Sequence, residues 1–212
     1  MKRSLSLIAL FACFAINTRA QNNPRPESNS HPVYADVTYG WASPQGNFAD
    51  QGAPAAGYAK PGDQFTVRLG YLAAKNFALE LDYCYARYGI RQDTTINGLF
   101  LYNWSYSGIT FGPTIKVPMG PKFEANLLLK GGVAFVHAGI PEVSQGIVSA
   151  DRTSTFMMKP GIDLRYHLSQ HVFMIGAFDW AFMNPKFSLA NGSTLDKQIS
   201  AFHIGFGLGV RF

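Results

Sequence analysis

The sequence predicts an all-β chain: an eight-stranded antiparallel up-and-down transmembrane β-barrel, with short turns at one end and longer loops at the other. Three observations predict it. Apolar and polar residues alternate with period two through eight segments. The connections between those segments are long and short by turns along the whole chain. The polar faces together carry six acids and six bases, a balance suited to a closed interior, because an unpaired buried charge is costly.

The chain has 212 residues, 47% of them hydrophobic and only 15% charged, which excludes a disordered polymer. Beyond the N-terminus no apolar run is long enough to cross a bilayer as a helix. Residues 1–20 read as an export signal: Lys2 and Arg3 precede the apolar run Leu5 to Ile16, and Ala20 followed by Gln21 offers a cleavage junction. Cleavage removes three of the 18 bases and none of the 13 acids, so the mature net charge is +2. Without a strong basic excess, nucleic acid is not an expected partner. Only Cys84 remains in the mature chain, which excludes an intramolecular disulfide and a cysteine-based metal site. Residues 21–32 are polar with three prolines and read as a flexible leader, leaving 33–212 for the barrel.

The first strand places Val33, Ala35, Val37, Tyr39 and Trp41 on one face and Asp36, Thr38 and Gly40 on the other. Phe65, Val67, Leu69 and Tyr71 repeat the pattern against Arg68. The third segment sets Phe77, Leu79, Leu81, Tyr83 and Tyr85 against Glu80, Asp82 and Cys84. A fourth, beginning near Tyr102, sets Ile109, Phe111, Ile115 and Val117 against Lys116, with Pro113 expected to cause a bulge or a weakened pair. Phe123, Ala125, Leu127, Leu129, Val133 and Phe135 oppose Glu124, Asn126 and Lys130; Phe156, Met158, Ile162, Leu164 and Tyr166 oppose Lys159, Asp163 and Arg165 around Pro160. The seventh has Val172, Met174, Phe178, Trp180 and Phe182 against Asp179, with Phe173 and Ile175 blurring the contrast. The last sets Phe202, Ile204, Phe206, Leu208, Val210 and Phe212 against His203, three glycines and Arg211.

Residues 42–63, 89–98, 138–151 and 184–197 form the long connections; 73–76, 118–122 and 168–171 form the short ones. In a meander, successive connections fall at opposite ends, so all tight turns gather at one end. Strands of about nine to eleven residues match a tilted bilayer crossing. The apolar face carries Tyr39, Trp41, Tyr71, Phe77, Tyr83, Tyr85, Tyr166, Trp180 and Phe182 toward strand ends, as paired interfacial girdles require. The charges Asp36, Arg68, Glu80, Asp82, Lys116, Glu124, Lys130, Lys159, Asp163, Arg165, Asp179 and Arg211 are then expected in the lumen.

The ending FHIGFGLGVRF, with Phe212 last and Phe202, Ile204, Phe206, Leu208 and Val210 at every second position before it, resembles the C-terminal assembly signal of bacterial outer-membrane barrels. Residues 31–212 resemble the eight-stranded outer-membrane β-barrel domain family that includes the OmpA transmembrane domain and OmpX-like proteins. The short leader and the Gln at the mature start are similar to Bacteroidetes-type members. The resemblance implies the bacterial outer membrane, periplasmic turns and extracellular loops. It also implies contact with membrane lipid and lipopolysaccharide, and recognition of the C-terminal strand by the barrel-assembly machinery.

An eight-stranded lumen is just filled by side chains, so a structural or surface-interaction role without porin-scale conductance is expected. An unknown extracellular partner would meet the loops, where Gly52, Pro54, Gly57, Pro61, Asn191 and Gly192 lie. A narrow solute channel and a secreted lipocalin-like carrier with the opposite polarity are the alternatives. His167 and Ser169 superficially resemble the His-x-Ser of lipid A deacylase barrels. They fall at a tight turn, away from Asp179, so no enzyme activity is expected. His31, His137, His171 and His203 show no metal-ligand spacing, and no cofactor is expected.

Overall fold

The computed structural model describes residues 32–50, 59–90, 103–137, 152–188, 192 and 194–212. The expected export signal with Ala20 and Gln21, the leader up to residue 31, and the loop residues Gly52, Pro54, Gly57 and Asn191 lie outside the described residues. The strands are β1 Val33–Gln45, β2 Ala59–Ala74, β3 Phe77–Ile90, β4 Trp104–Pro118, β5 Phe123–His137, β6 Arg152–His167, β7 Val172–Met183, β8 Lys186–Ser188, β9 Thr194–Asp196 and β10 Ile199–Arg211. β1 to β7 and β10 form one closed antiparallel barrel in which each strand pairs with its neighbours in the chain and β10 closes on β1. β8 and β9 form a separate small hairpin.

The pairing registers fix the geometry. From Arg87 on β3 the partners run Asp63, Trp41, Ile204, Phe178, Ile162, Leu127, Ile115 and back to β3 at Phe77, ten residues below the start. Ten steps of about 3.3 Å against eight spacings of about 4.8 Å tilt the strands by about 40° and set the barrel roughly 16 Å across. Each residue then rises about 2.5 Å along the axis, so an apolar band about 25 Å tall takes about ten residues of strand.

The barrel strands have 12 to 16 residues, longer than the expected nine to eleven. β1 runs on to Gln45, β2 starts at Ala59 instead of Phe65, and Pro61 sits in β2 beside a register shift between Lys60 and Asp63 instead of in a loop. The ladder outlasts the hydropathy signal because outward positions above the band are polar, as at Ser43, Ser105 and Ser154, while backbone pairing continues. Pro113 produces no bulge: the β4–β5 register skips Gly112 and Pro113 and resumes unchanged. The β6–β7 register does the same at Lys159 and Pro160. Each proline removes one ladder donor without displacing the strand.

The apolar side chains face outward. Trp41, Leu69, Phe111, Leu129, Phe156 and Leu208 are all exposed, and the girdle residues Trp41, Tyr85, Trp180 and Phe182 stand near one edge of the band with Tyr71 and Phe77 near the other. This polarity is the reverse of a carrier barrel. Phe173 and Ile175, which blur the pattern of β7, point inward and are buried. Tyr34 and Phe173 find room inside only because their register partners are Gly70 and Gly209; a Cβ on either would lie 2.0 to 2.1 Å from the partner ring. Each glycine is thus the socket of an inward aromatic.

Candidate functional site in the barrel interior

Inward positions of the strands carry the polar chemistry in layers. At the short-turn end Glu124 on β5 meets Lys116 of β4 at 3.1 Å, Arg211 of β10 at 3.5 Å and His167 of β6 at 3.8 Å. Beside them Tyr34 and Phe173 meet edge to face at 6.3 Å, and the Arg165 guanidinium lies over both rings at 4.5 and 5.1 Å.

Above this floor is a belt of ions. Arg68 reaches Asp163, Asp82 at 3.3 Å, Glu80 at 3.5 Å and Asp36 at 3.9 Å. Arg165 holds Glu80 at 3.0 Å, with Asp36 at 3.5 Å and Asp163 at 3.6 Å. Lys130 sits 2.6 Å from Glu80 and 2.7 Å from Asp82, and the Tyr34 hydroxyl donates to Glu80. Lys159 lies 3.3 Å from Asp179 and 3.8 Å from Asp82. Of the twelve charged residues expected in the lumen, eleven are buried; Arg211 is partly exposed at the short-turn mouth.

These contacts do more than tie neighbouring strands. Arg68 on β2 and Asp163 on β6 are four strands apart, on opposite walls. Arg165 on β6 and Glu80 on β3 are three strands apart. A barrel roughly 16 Å across is spanned when a long base meets a short acid from the far wall.

A second polar group was not anticipated. His203 on β10 places Nδ1 2.6 Å from Asp179, and its Nε2 lies 2.9 Å from the Tyr106 hydroxyl and 3.1 Å from that of Tyr88. With Nδ1–H directed at the carboxylate, Nε2 accepts from a phenol. The sequence holds the parity of His203, Tyr88 and Tyr106, all inward, but not their meeting across the lumen.

Over this group, at the long-loop end, the described residues set an apolar stopper. Phe48, from the 3₁₀ turn Gly46–Phe48, packs edge to face on Tyr88 at 5.0 Å and on Trp104 at 5.6 Å, and Trp104 meets Phe187 of β8 at 6.1 Å. Phe48 and Phe187 are buried although both belong to segments outside the barrel wall. Period-two patterning carries no signal for either, since neither lies on a long alternating strand.

The His167 and Ser169 pair is not assembled with Asp179. His167 faces Glu124, the Ser169 hydroxyl accepts the backbone N–H of His171 at 3.2 Å and of Val172 at 3.0 Å, and Asp179 holds His203. Ser169 caps its turn. Among the described residues no three His, Cys, Asp or Glu side chains are grouped to hold a metal ion. Phe202, Ile204, Phe206, Leu208, Val210 and Phe212 line the outward face of the closing strand, Phe212 62% exposed.

A model of the outer membrane protein beta-barrel domain matches residues 6–212. The fold is similar to Neisserial surface protein A, with TM-score 0.57 and 10% identity over 85% of this chain and 97% of that one. It is also similar to a major outer membrane protein of Thermus thermophilus, with TM-score 0.51 and 13% identity over 86% and 100%, and to OprG of Pseudomonas aeruginosa, with 0.50 and 14% over 87% and 98%. At these identities the likeness is one of fold. An uncharacterized protein of Treponema pallidum is 29% identical over 103 residues, which are 46% of this chain and 35% of that protein, so the match spans about a third of the relative's length.

Proposed function

Because this chain belongs to the outer membrane protein β-barrel domain family and resides in the bacterial outer membrane, we propose that it serves there as a sealed, non-conducting barrel that carries surface loops toward a partner outside the cell. The observation that carries this reading is the pair of side-chain layers in the interior: an ion belt bridging opposite walls, with an aromatic stopper above it. A hydrated ion entering would have to break several buried pairs at once. The engagement of the Ser169 hydroxyl in its turn supports a non-enzymatic role. In planar lipid bilayers the purified folded protein is expected to give no single-channel steps above background. Reproducible steps would overturn the sealed reading in favour of a narrow solute channel.

Two further parts of the reading concern biogenesis. Residues 1–20 direct export, with cleavage between Ala20 and Gln21, and the barrel-assembly machinery recognises the outward row ending in Phe212. Phe212→Ala combined with Phe206→Ala is expected to leave unfolded chain in the periplasm and cut the membrane-inserted fraction several-fold. Equal amounts of heat-modifiable barrel from the variant and the parent would count against such recognition.

A further inference from the structure

The lumen charges balance as a set but not layer by layer. The belt holds the acids Asp36, Glu80, Asp82, Asp163 and Asp179 against the bases Arg68, Lys130, Lys159 and Arg165. At the short-turn mouth the sign of the surplus reverses: Lys116, Arg211 and the His167 imidazole share the carboxylate of Glu124. Asp36, two residues up β1 from the Tyr34–Arg211 register pair, is taken by Arg165 at 3.5 Å and Arg68 at 3.9 Å. Asp179 meets His203 at 2.6 Å, and His203 stands eight residues up β10 from Arg211, about 20 Å along the axis, so this acid does not offset the mouth. The short turns 73–76, 118–122 and 168–171 add Lys75, Lys122 and His171, all exposed, and no acid.

Lys116, Glu124, His167 and Arg211 come from β4, β5, β6 and β10, so they ring the mouth instead of lining one wall. Tyr34 and Phe173 back the ring: Lys116 Nζ lies 5.7 Å from the Tyr34 centroid, and the Arg211 guanidinium 5.9 Å from that of Phe173. An apolar backing strips water from one side of each cation and strengthens its attraction for an anion. Arg211 Nη2 is buried 3.5 Å from Glu124 and has no hydrogen-bond partner, a costly state for a charged donor. The His167 side chain is 17% exposed and that of Arg211 16%, so the ring opens to water at the turn end.

We propose that this ring binds a water-borne phosphate group, as inorganic phosphate or a phosphomonoester, between Arg211, Lys116 and His167. Arg211 and Lys116 exceed Glu124 by one positive charge, and protonation of His167 adds a second, which suits an anion of charge about −1.5 to −2. Its oxygens would accept from the unpartnered Nη2–H of Arg211, from the Lys116 ammonium and from the imidazole, all charge-assisted bonds. A halide has no geometry to meet three donors from three strands. The closed wall sets the ring apart from the bilayer, so a lipid phosphodiester would have to bend over the turns to enter.

The test uses the full chain folded in a maltoside detergent, which carries no phosphate, with inorganic phosphate titrated at constant ionic strength and binding read by calorimetry. The parent is expected to bind saturably, and Arg211→Gln about tenfold more weakly. Glu124→Gln is expected to bind about tenfold more tightly, because the competing carboxylate is gone; a ring that only needed its ion pairs intact would weaken instead. Lys75→Gln, in the exposed β2–β3 turn, is expected to match the parent. Absence of binding by the parent, equal affinity of Arg211→Gln, or no tightening by Glu124→Gln overturns the site. A loss from Lys75→Gln as large as that from Arg211→Gln overturns it in favour of diffuse surface charge. Displacement of phosphate by phosphatidylglycerol added to the micelles overturns the water-borne occupant in favour of a lipid headgroup. Heat-modifiable gel mobility reports folding of each variant. Should Arg211→Gln fail it, Arg211→Lys, which keeps the charge and loses the fork, is expected to weaken binding severalfold, and equal affinity overturns the site.

Discussion

Arg68→Glu is expected to lower the unfolding free energy of the barrel by at least about 3–5 kcal/mol, because four buried carboxylates lose a shared cation and gain a fifth of their own sign. Fluorescence of Trp41, Trp104 and Trp180 during urea unfolding in detergent reads the midpoint. Arg68→Met with Asp163→Leu is expected to cost less than Arg68→Met alone, since removing both ends of a buried pair leaves fewer uncompensated charges. An unchanged midpoint for Arg68→Glu would mean that the belt does not hold the walls together.

Leu129→Arg is expected to destabilise the protein in lipid vesicles by about 2–4 kcal/mol, the cost of placing a guanidinium at mid-bilayer on the outer face of a barrel. Leu129 is 54% exposed, and at an equally exposed site facing water the same change would usually fall within about 0.5 kcal/mol. Ser154→Arg, outward above the aromatic girdle, is expected to cost about 0–1 kcal/mol, because the penalty fades toward the interface. A cost that did not differ between the two positions would contradict a bilayer around the wall.

The fold is legible in the sequence because its rule is local. In a strand every second side chain faces the same way, so Val33 to Trp41 or Phe202 to Phe212 declare an outward row without knowledge of any neighbour. The inward parity of the charged residues follows from that same rule. Their partners do not: that Arg68 meets Asp163 depends on a register closing on itself after ten residues, which is a property of the whole ring. The stopper was hidden for a different reason. Phe48 and Phe187 enter the mouth from a 3₁₀ turn and a three-residue strand, segments too short to show a period. His203 lay in plain view on the inward face of β10, yet Asp179, Tyr88 and Tyr106 come from three other strands.

The bracing between opposite walls bears on how the barrel comes into being. While the sheet is still an open ribbon, β2 cannot reach β6 through the middle, so Arg68 and Asp163 must each keep water or remain unmatched in hydrocarbon. An open ribbon is thereby penalised, and the penalty falls as the sheet curls toward the seam between β10 and β1. Curling of the sheet and desiccation of the ions are thereby coupled, which favours a cooperative passage into the membrane over a gradual one.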